Sequence, residues 1–233
     1  MTEHASSNSA GFFNRDLAEA YDRRNAALKP ISDCLHFLMR LVLKGLPDDA
    51  RVLCVGVGTG AEILSLAAVF PGWSFVGVDP SSDMLDVGTH RLEEAGVLDR
   101  CRMIPGYVDD VADTGFDAVI SLLVAHFIQL EHRPAFYRAI HDRLKQGGRY
   151  VSAEISDDLV GPAFPAMLDD WKEVQALMGA DQESLASLPD VLRNVLGVVP
   201  PAETVELWRD AGFGLPVPFF QSFMIRGWHA LRG

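Results

Sequence analysis

The sequence predicts an α/β fold: a mostly parallel sheet with helices on both faces, ending in an antiparallel hairpin and carrying additional helical cap elements. Three observations predict it. Short apolar runs alternate with helix-period patterns of about ten to fifteen residues, as strands joined by crossover helices require. The first run, "VLCVGVGTGAEIL", breaks into alternating glycines and restarts as a helix pattern. The chain ends in two close apolar runs, "LPVPFF" and "FMIRGWHAL", which can pair as a hairpin.

In chain order, residues 12–30 read as a short helix leading into a turn at Pro30, and residues 31–46 as a mostly buried helix stopped by "GLPDDA". "RVLCVGV" is the first strand, followed by a helix over 61–70. "SFVGVD" is the second, followed by a helix over 82–95. "CRMIPG" and "FDAVISLL" supply the third and fourth strands. A helix over 134–144 has proline inside its start and Gly147-Gly148 past its end, and "RYVSAEI" completes a fifth strand. Phe164, Met167, Leu168, Trp171, Val174, Leu177 and Met178 then recur at helical spacing, before "PAETVELWRDAGF" and the hairpin. The expected organisation is one domain over 1–233: N-terminal lid helices (1–46), a nucleotide-binding core (50–156), a helical cap (157–205), and a terminal helix with hairpin (206–233).

Composition narrows the function. A net charge of −12 disfavours a nucleic-acid partner, because phosphate binding wants a basic face. No apolar run approaches the roughly 20 residues that span a bilayer, so no membrane role is expected. The start, "MTEHASSNSAGFF", lacks the order of a signal peptide, and three cysteines without metal-like spacing read as buried thiols. A cytoplasmic protein with no metal centre is expected.

Glycines at a strand-to-helix turn let the backbone approach a ligand closely. Gly56, Gly58 and Gly60 fit both a nucleoside loop and a dinucleotide fingerprint. Asp79, nineteen residues past Gly60 at the end of the second strand, can accept both hydroxyls of a ribose. The bland readings are a tight turn with no ligand and a helix cap, which Ser81 or Asp83 could also supply. A dehydrogenase of the short-chain type is disfavoured: none of Lys29, Lys44, Lys145 and Lys172 has a tyrosine four residues before it, and the sheet ends in a hairpin, not a sixth parallel strand.

Through "VLCVGVGTG", "VGVDPSSDML", "FDAVISLL", "LKQGGRYVSAE" and the late "WRDAGF", the chain resembles class I S-adenosylmethionine-dependent methyltransferases, with their Rossmann-like seven-stranded sheet. More closely it is similar to the transferases that carboxymethylate the wobble uridine of tRNA with carboxy-S-adenosylmethionine, and to their relatives. The resemblance implies S-adenosylmethionine as donor and S-adenosylhomocysteine as product. It puts Gly56, Gly58 and Gly60 at the donor's amino-acid end, Asp79 at its ribose, and Pro80 and Met84 near ribose and adenine. It implies an acid by the adenine after the third strand, where this chain departs and has Tyr107 to stack or donate instead, with Val108 beside it and Asp109 or Asp110 as substitutes; it puts Ser121 and Leu122 near the sulfonium and Tyr21 as an aromatic lid. Three further positions depart from the pattern. Cys54 replaces a loop carboxylate that commonly orders the glycine turn or meets the donor's amino group. Pro189 stands where the carboxy-donor enzymes have an arginine, with Arg193 about one helical turn away, and Ser32 replaces a tyrosine. The last two point to the ordinary donor and, with the acidic charge, away from tRNA.

Methyl transfer from a sulfonium needs orientation and water exclusion, and needs a base only for a protonated acceptor. His126 after the fourth strand and Glu154 at the end of the fifth are the candidate bases; the bland readings are a packed histidine and a salt-bridged strand end. Met167, Trp171 and Met178, with Phe219 and Phe220, would line an apolar acceptor pocket, although such a stripe is more often core. The expected function is methyl transfer to an O or N nucleophile of a small, partly apolar molecule. A carboxy-donor tRNA-modifying transferase and a non-catalytic nucleoside-binding module are the alternatives. Phe12, Phe13 and an apolar first helix could support a homodimer.

Overall fold

The computed structural model describes residues 25–233, so Tyr21, Phe12 and Phe13 lie outside the described residues. Seven strands form one sheet in the order β3-β2-β1-β4-β5-β7-β6. They are β1 (Arg51–Val55), β2 (Ser74–Asp79), β3 (Cys101–Pro105), β4 (Phe116–Leu122), β5 (Leu144–Ile155), β6 (Val217–Ser222) and β7 (Ile225–Leu231). The first five pair in parallel, and β7 runs antiparallel between β5 and β6. The expected α/β sheet with its terminal hairpin is therefore present.

Period-two alternation divides the sheet between two cores. Val52 and Cys54 of β1 face one side, with Phe75, Ala118, Ile120 and Val151. Three helices cover that side: α1 (Lys29–Leu43) through Met39 and Leu43, α2 (Ala61–Ala67) through Ile63 and Leu66, and α3 (Ser82–Glu94) through Leu85 and Leu92. Leu53 and Val55 face the other side, beneath α4 (Arg133–Arg143) and α7 (Pro201–Asp210), where Tyr137, Tyr150, Trp208 and Phe213 cluster. Between β5 and α7 lie α5 (Phe164–Leu177) and α6 (Gln182–Asp190), the latter running into a π turn at Val191–Val195.

Two sequence boundaries need correction. Pro30 does not form a turn; it sits in the first turn of α1, where its missing N–H costs nothing. Gly147-Gly148 does not end α4, which stops at Arg143. Leu144 already pairs with Phe116, and the glycines form an irregularity inside β5 before pairing resumes at Ala118 with Arg149. Gly147 has φ +69, and a Cβ on Gly148 would lie 2.8 Å from the Lys145 carbonyl oxygen. The pair allows a bulge, not a helix cap.

Candidate active site

The glycine loop sits at the carboxyl ends of the parallel strands, the usual ligand position in such sheets. Gly56, Gly58 and Gly60 have φ of +66, +50 and +77, a region side chains with a Cβ rarely adopt. The Val78 carbonyl oxygen accepts from the amides of Gly56 at 2.8 Å and Val57 at 3.2 Å. A Cβ on Gly56 would meet Val124 Cγ2 at 2.4 Å, so Val124 closes over the loop from the end of β4. It is turned there by Leu123, a non-glycine residue at φ +59 whose amide donates to the Ala153 carbonyl at 2.6 Å.

Asp79 locks the loop. Its Oδ2 accepts from the Gly58 amide and its Oδ1 from the Ser81 amide, both at 2.9 Å. Burial pushes the carboxyl above its ordinary pKa, and these two hydrogen bonds pull it back. Each oxygen keeps a lone pair for a ligand hydroxyl. The helix cap is Ser81, whose hydroxyl accepts from the Met84 amide at 3.3 Å. Pro80 is half-buried, Met84 is buried, and the Met84 methyl would lie 3.2 Å from a Cβ on Gly58. After β3, Asp110 Oδ2 accepts from the Tyr107 amide at 2.8 Å, Val108 is buried, and the Tyr107 side chain stands half exposed. Asp109 is exposed toward Arg143. Leu122 is half-buried at the end of β4, but the Ser121 hydroxyl points inside, bonded to the Tyr150 hydroxyl at 2.7 Å and the Ser152 hydroxyl at 3.2 Å.

The two candidate bases are not at the open end of this site. His126 is buried, and its Nδ1 accepts from the Ile155 amide at 3.4 Å. Burial first, then the Arg133 guanidinium, pushes its pKa down to about 3. The geometry is that of a packed, neutral histidine. Glu154 is likewise fully buried. Its Oε2 accepts from Arg133 Nη1 at 2.6 Å and its Oε1 from the Thr204 hydroxyl at 3.1 Å. Burial raises the Glu154 carboxyl and Arg133 opposes the rise.

Arg133 is the residue the sequence reading missed, because an arginine in the first turn of a helix normally faces water. Here it is fully buried, donating from Nε to the Ile128 carbonyl at 3.2 Å and from Nη2 to the Gly197 carbonyl. The Gly197 amide donates to the His126 carbonyl at 2.7 Å, and the Ser156 hydroxyl to the Val199 carbonyl at 2.8 Å. His126, Glu154 and Arg133 thus fasten the end of the α5–α6 segment to the sheet.

The five proposed pocket residues do not share one cavity. Met167, Trp171, Phe219 and Phe220 join an apolar cluster with Leu122, Leu123 and Ala153, while Met178 caps the end of α5 outside it. Phe219 and Phe220 also border a cleft of about 530 Å³ at the β6–β7 side, away from the glycine loop. Arg193 packs its guanidinium 5.5 Å from the centre of the Phe164 ring. Among the described residues there is no cluster of three metal-ligating side chains, and no helix is long and apolar enough to cross a membrane.

The packing of His126 has a pH consequence. Unfolded, its imidazole takes up a proton near 6.5; folded, it stays neutral down to about 3. The unfolded state therefore binds more protons across this window, and the histidine contributes a loss of stability as pH falls from about 6.5 toward 3. Urea denaturation of His126→Gln should show a shallower acid loss than the wild-type chain.

Residues 52–148 match the family described as "Methyltransferase domain". A "Carboxy-S-adenosyl-L-methionine synthase" of Nautilia profundicola is 22% identical over 202 residues, covering 86% of each chain. An O-methyltransferase family protein from Burkholderia thailandensis superposes with a TM-score of 0.67 at 15% identity, over 94% of this chain and 59% of that one. The geranyl diphosphate C-methyltransferase of Streptomyces coelicolor A3(2), solved with S-adenosyl-L-homocysteine, superposes at 0.63 with 15% identity, over 87% of this chain and 79% of that one. The chain spans about three fifths of the O-methyltransferase structures it matches. The sheet order of the superposed methyltransferases and the match over 52–148 together mark those residues as a methyltransferase domain within a class I methyltransferase fold.

Proposed function

We propose that the chain transfers the donor's methyl group to an oxygen or nitrogen of a small, partly apolar acceptor. The observation that carries this reading is a shared wall: Leu122, at the end of the strand beside the glycine loop, also packs into the cluster of Met167, Trp171, Phe219 and Phe220. An acceptor held by that cluster would meet the donor across the end of β4. The cradle fits the donor, because the loop runs as bare backbone at positive φ and Asp79 offers unused lone pairs. When bound, the sulfonium supplies an activated methyl group and a neutral leaving group.

The chain's own part is to hold, orient and exclude water. Gly56 and Gly58 cradle the amino-acid end, Asp79 takes the ribose hydroxyls, and Pro80, Met84, Tyr107 and Val108 border the nucleoside. With His126 and Glu154 packed inward, neither serves as the base. The acceptor would arrive already deprotonated or lose its proton to water. The acidic surface and three free thiols suit a reducing compartment and a partner other than nucleic acid.

A second reading, a transferase of the carboxy-donor type, draws on relatives named "Carboxy-S-adenosyl-L-methionine synthase", one of which the chain covers to 86%. Against it, Pro189 lies inside α6 and Arg193 is stacked on Phe164. Calorimetry with S-adenosylhomocysteine, followed by assay of S-adenosylhomocysteine formation from S-adenosylmethionine with a panel of phenols and amines, tests the proposal. Product formation supports methyl transfer. Tight binding without any turnover would favour a non-catalytic module, and co-purified carboxy-S-adenosylmethionine would favour the second reading.

A further inference from the structure

One carboxyl follows the glycine loop directly. Glu62, in the first turn of α2, is only 6% exposed. Two charged groups act on it from the packed elements, Asp79 at the end of β2 and Arg91 of α3, and Glu62 in turn lies close enough to act on Cys54 of β1. Arg91 directs its guanidinium to Thr59, donating to the carbonyl at 3.0 Å and the hydroxyl at 2.8 Å. Its pull on Glu62 is the smallest of the influences there. The hydrogen bond Glu62 receives comes from its own backbone amide, and the Asp79 carboxylate adds like charge.

A buried acid in this setting ionises only when a cation is brought to it. Burial and Asp79 hold Glu62 up to about 8, so at neutral pH it is an uncharged acid. The Cys54 thiol does not supply a negative charge instead, since burial holds its pKa well above the ordinary value. A nucleoside donor whose ribose meets Asp79 would lay its amino-acid end along the Gly56–Gly60 loop that leads directly into Glu62.

We propose that Glu62 receives the α-ammonium group of the donor's amino-acid end, filling from the helix side the acidic role that Cys54 leaves vacant in the loop. The assignment rests on the donor reading above. Binding then moves one proton: Glu62 loses it to the buffer and the ammonium stays charged. Donor affinity should rise with pH toward about 8 and fall again at higher pH, where the donor's own ammonium loses its proton.

The test is titration calorimetry with two ligands, S-adenosylhomocysteine and 5′-methylthioadenosine, which lacks the amino-acid end. Measurements at pH 7 in buffers of different ionisation enthalpy count the protons released. The wild-type chain should release close to one proton per S-adenosylhomocysteine and none with methylthioadenosine. Glu62→Gln should bind S-adenosylhomocysteine about 10–100-fold more weakly without proton release. Its binding of methylthioadenosine should be unchanged, which also shows that the variant is folded. Wild-type affinity and proton release in Glu62→Gln would overturn the assignment and leave the donor reading standing. Failure of the wild-type chain to bind either ligand would overturn both.

Discussion

Replacing Arg133 by methionine should lower the free energy of unfolding by about 3–5 kcal/mol. The guanidinium is fully buried, and its loss leaves the Glu154 carboxyl in the interior with only hydroxyl partners, while the carbonyls of Ile128 and Gly197 lose a donor. Glu154 would then take up a proton, because burial already raises its pKa and Arg133 is the main group holding it down. The double variant Arg133→Met/Glu154→Leu should recover much of the loss, since a buried pair replaced by apolar groups of similar volume often costs little. Urea denaturation of the single and double variants measures both effects. A Glu154 variant that keeps full stability and loses only turnover would instead return that residue to the role of base.

Asp79→Asn should weaken S-adenosylhomocysteine binding by about 10–100-fold, corresponding to about 1–3 kcal/mol. The carboxylate accepts from two amides, Gly58 on one oxygen and Ser81 on the other. An amide side chain has one oxygen and one NH₂ group, so either orientation sets a donor against a donor. The Gly58 segment then loses its lock, and the ribose loses a charged acceptor. Calorimetry checks the binding, and an unchanged dissociation constant would move the ribose away from Asp79.

The sheet and the cradle were readable because their chemistry is local. Gly56, Gly58, Gly60 and Asp79 announce themselves by residue type and spacing, and the hairpin by two apolar runs at the end of the chain. What could not be read depends on distant packing. His126 follows a strand in a loop-like context and looks available, yet its carbonyl is taken by Gly197, some seventy residues later. Glu154 resembles a free strand end until Arg133 and Thr204 are seen closing on it. Arg133 and Glu62 escaped for the converse reason: a charged residue in the first turn of a helix reads as solvated, and nothing in the sequence marks it as buried. The Gly147-Gly148 error is one of register, because a helix stop and a strand bulge use the same residues.

The two tie points near Ser156 and Gly197 turn the chain between them into an interchangeable cassette. Fixed where it leaves and where it rejoins the sheet, this stretch can change length and sequence at small entropic cost. Its second helix, α6, has no buried residue to constrain it. On the proposed function, acceptor selectivity would diverge there by remodelling one continuous segment around its buried anchors Phe164, Trp171 and Leu192, while the glycine cradle and Asp79 stay as they are.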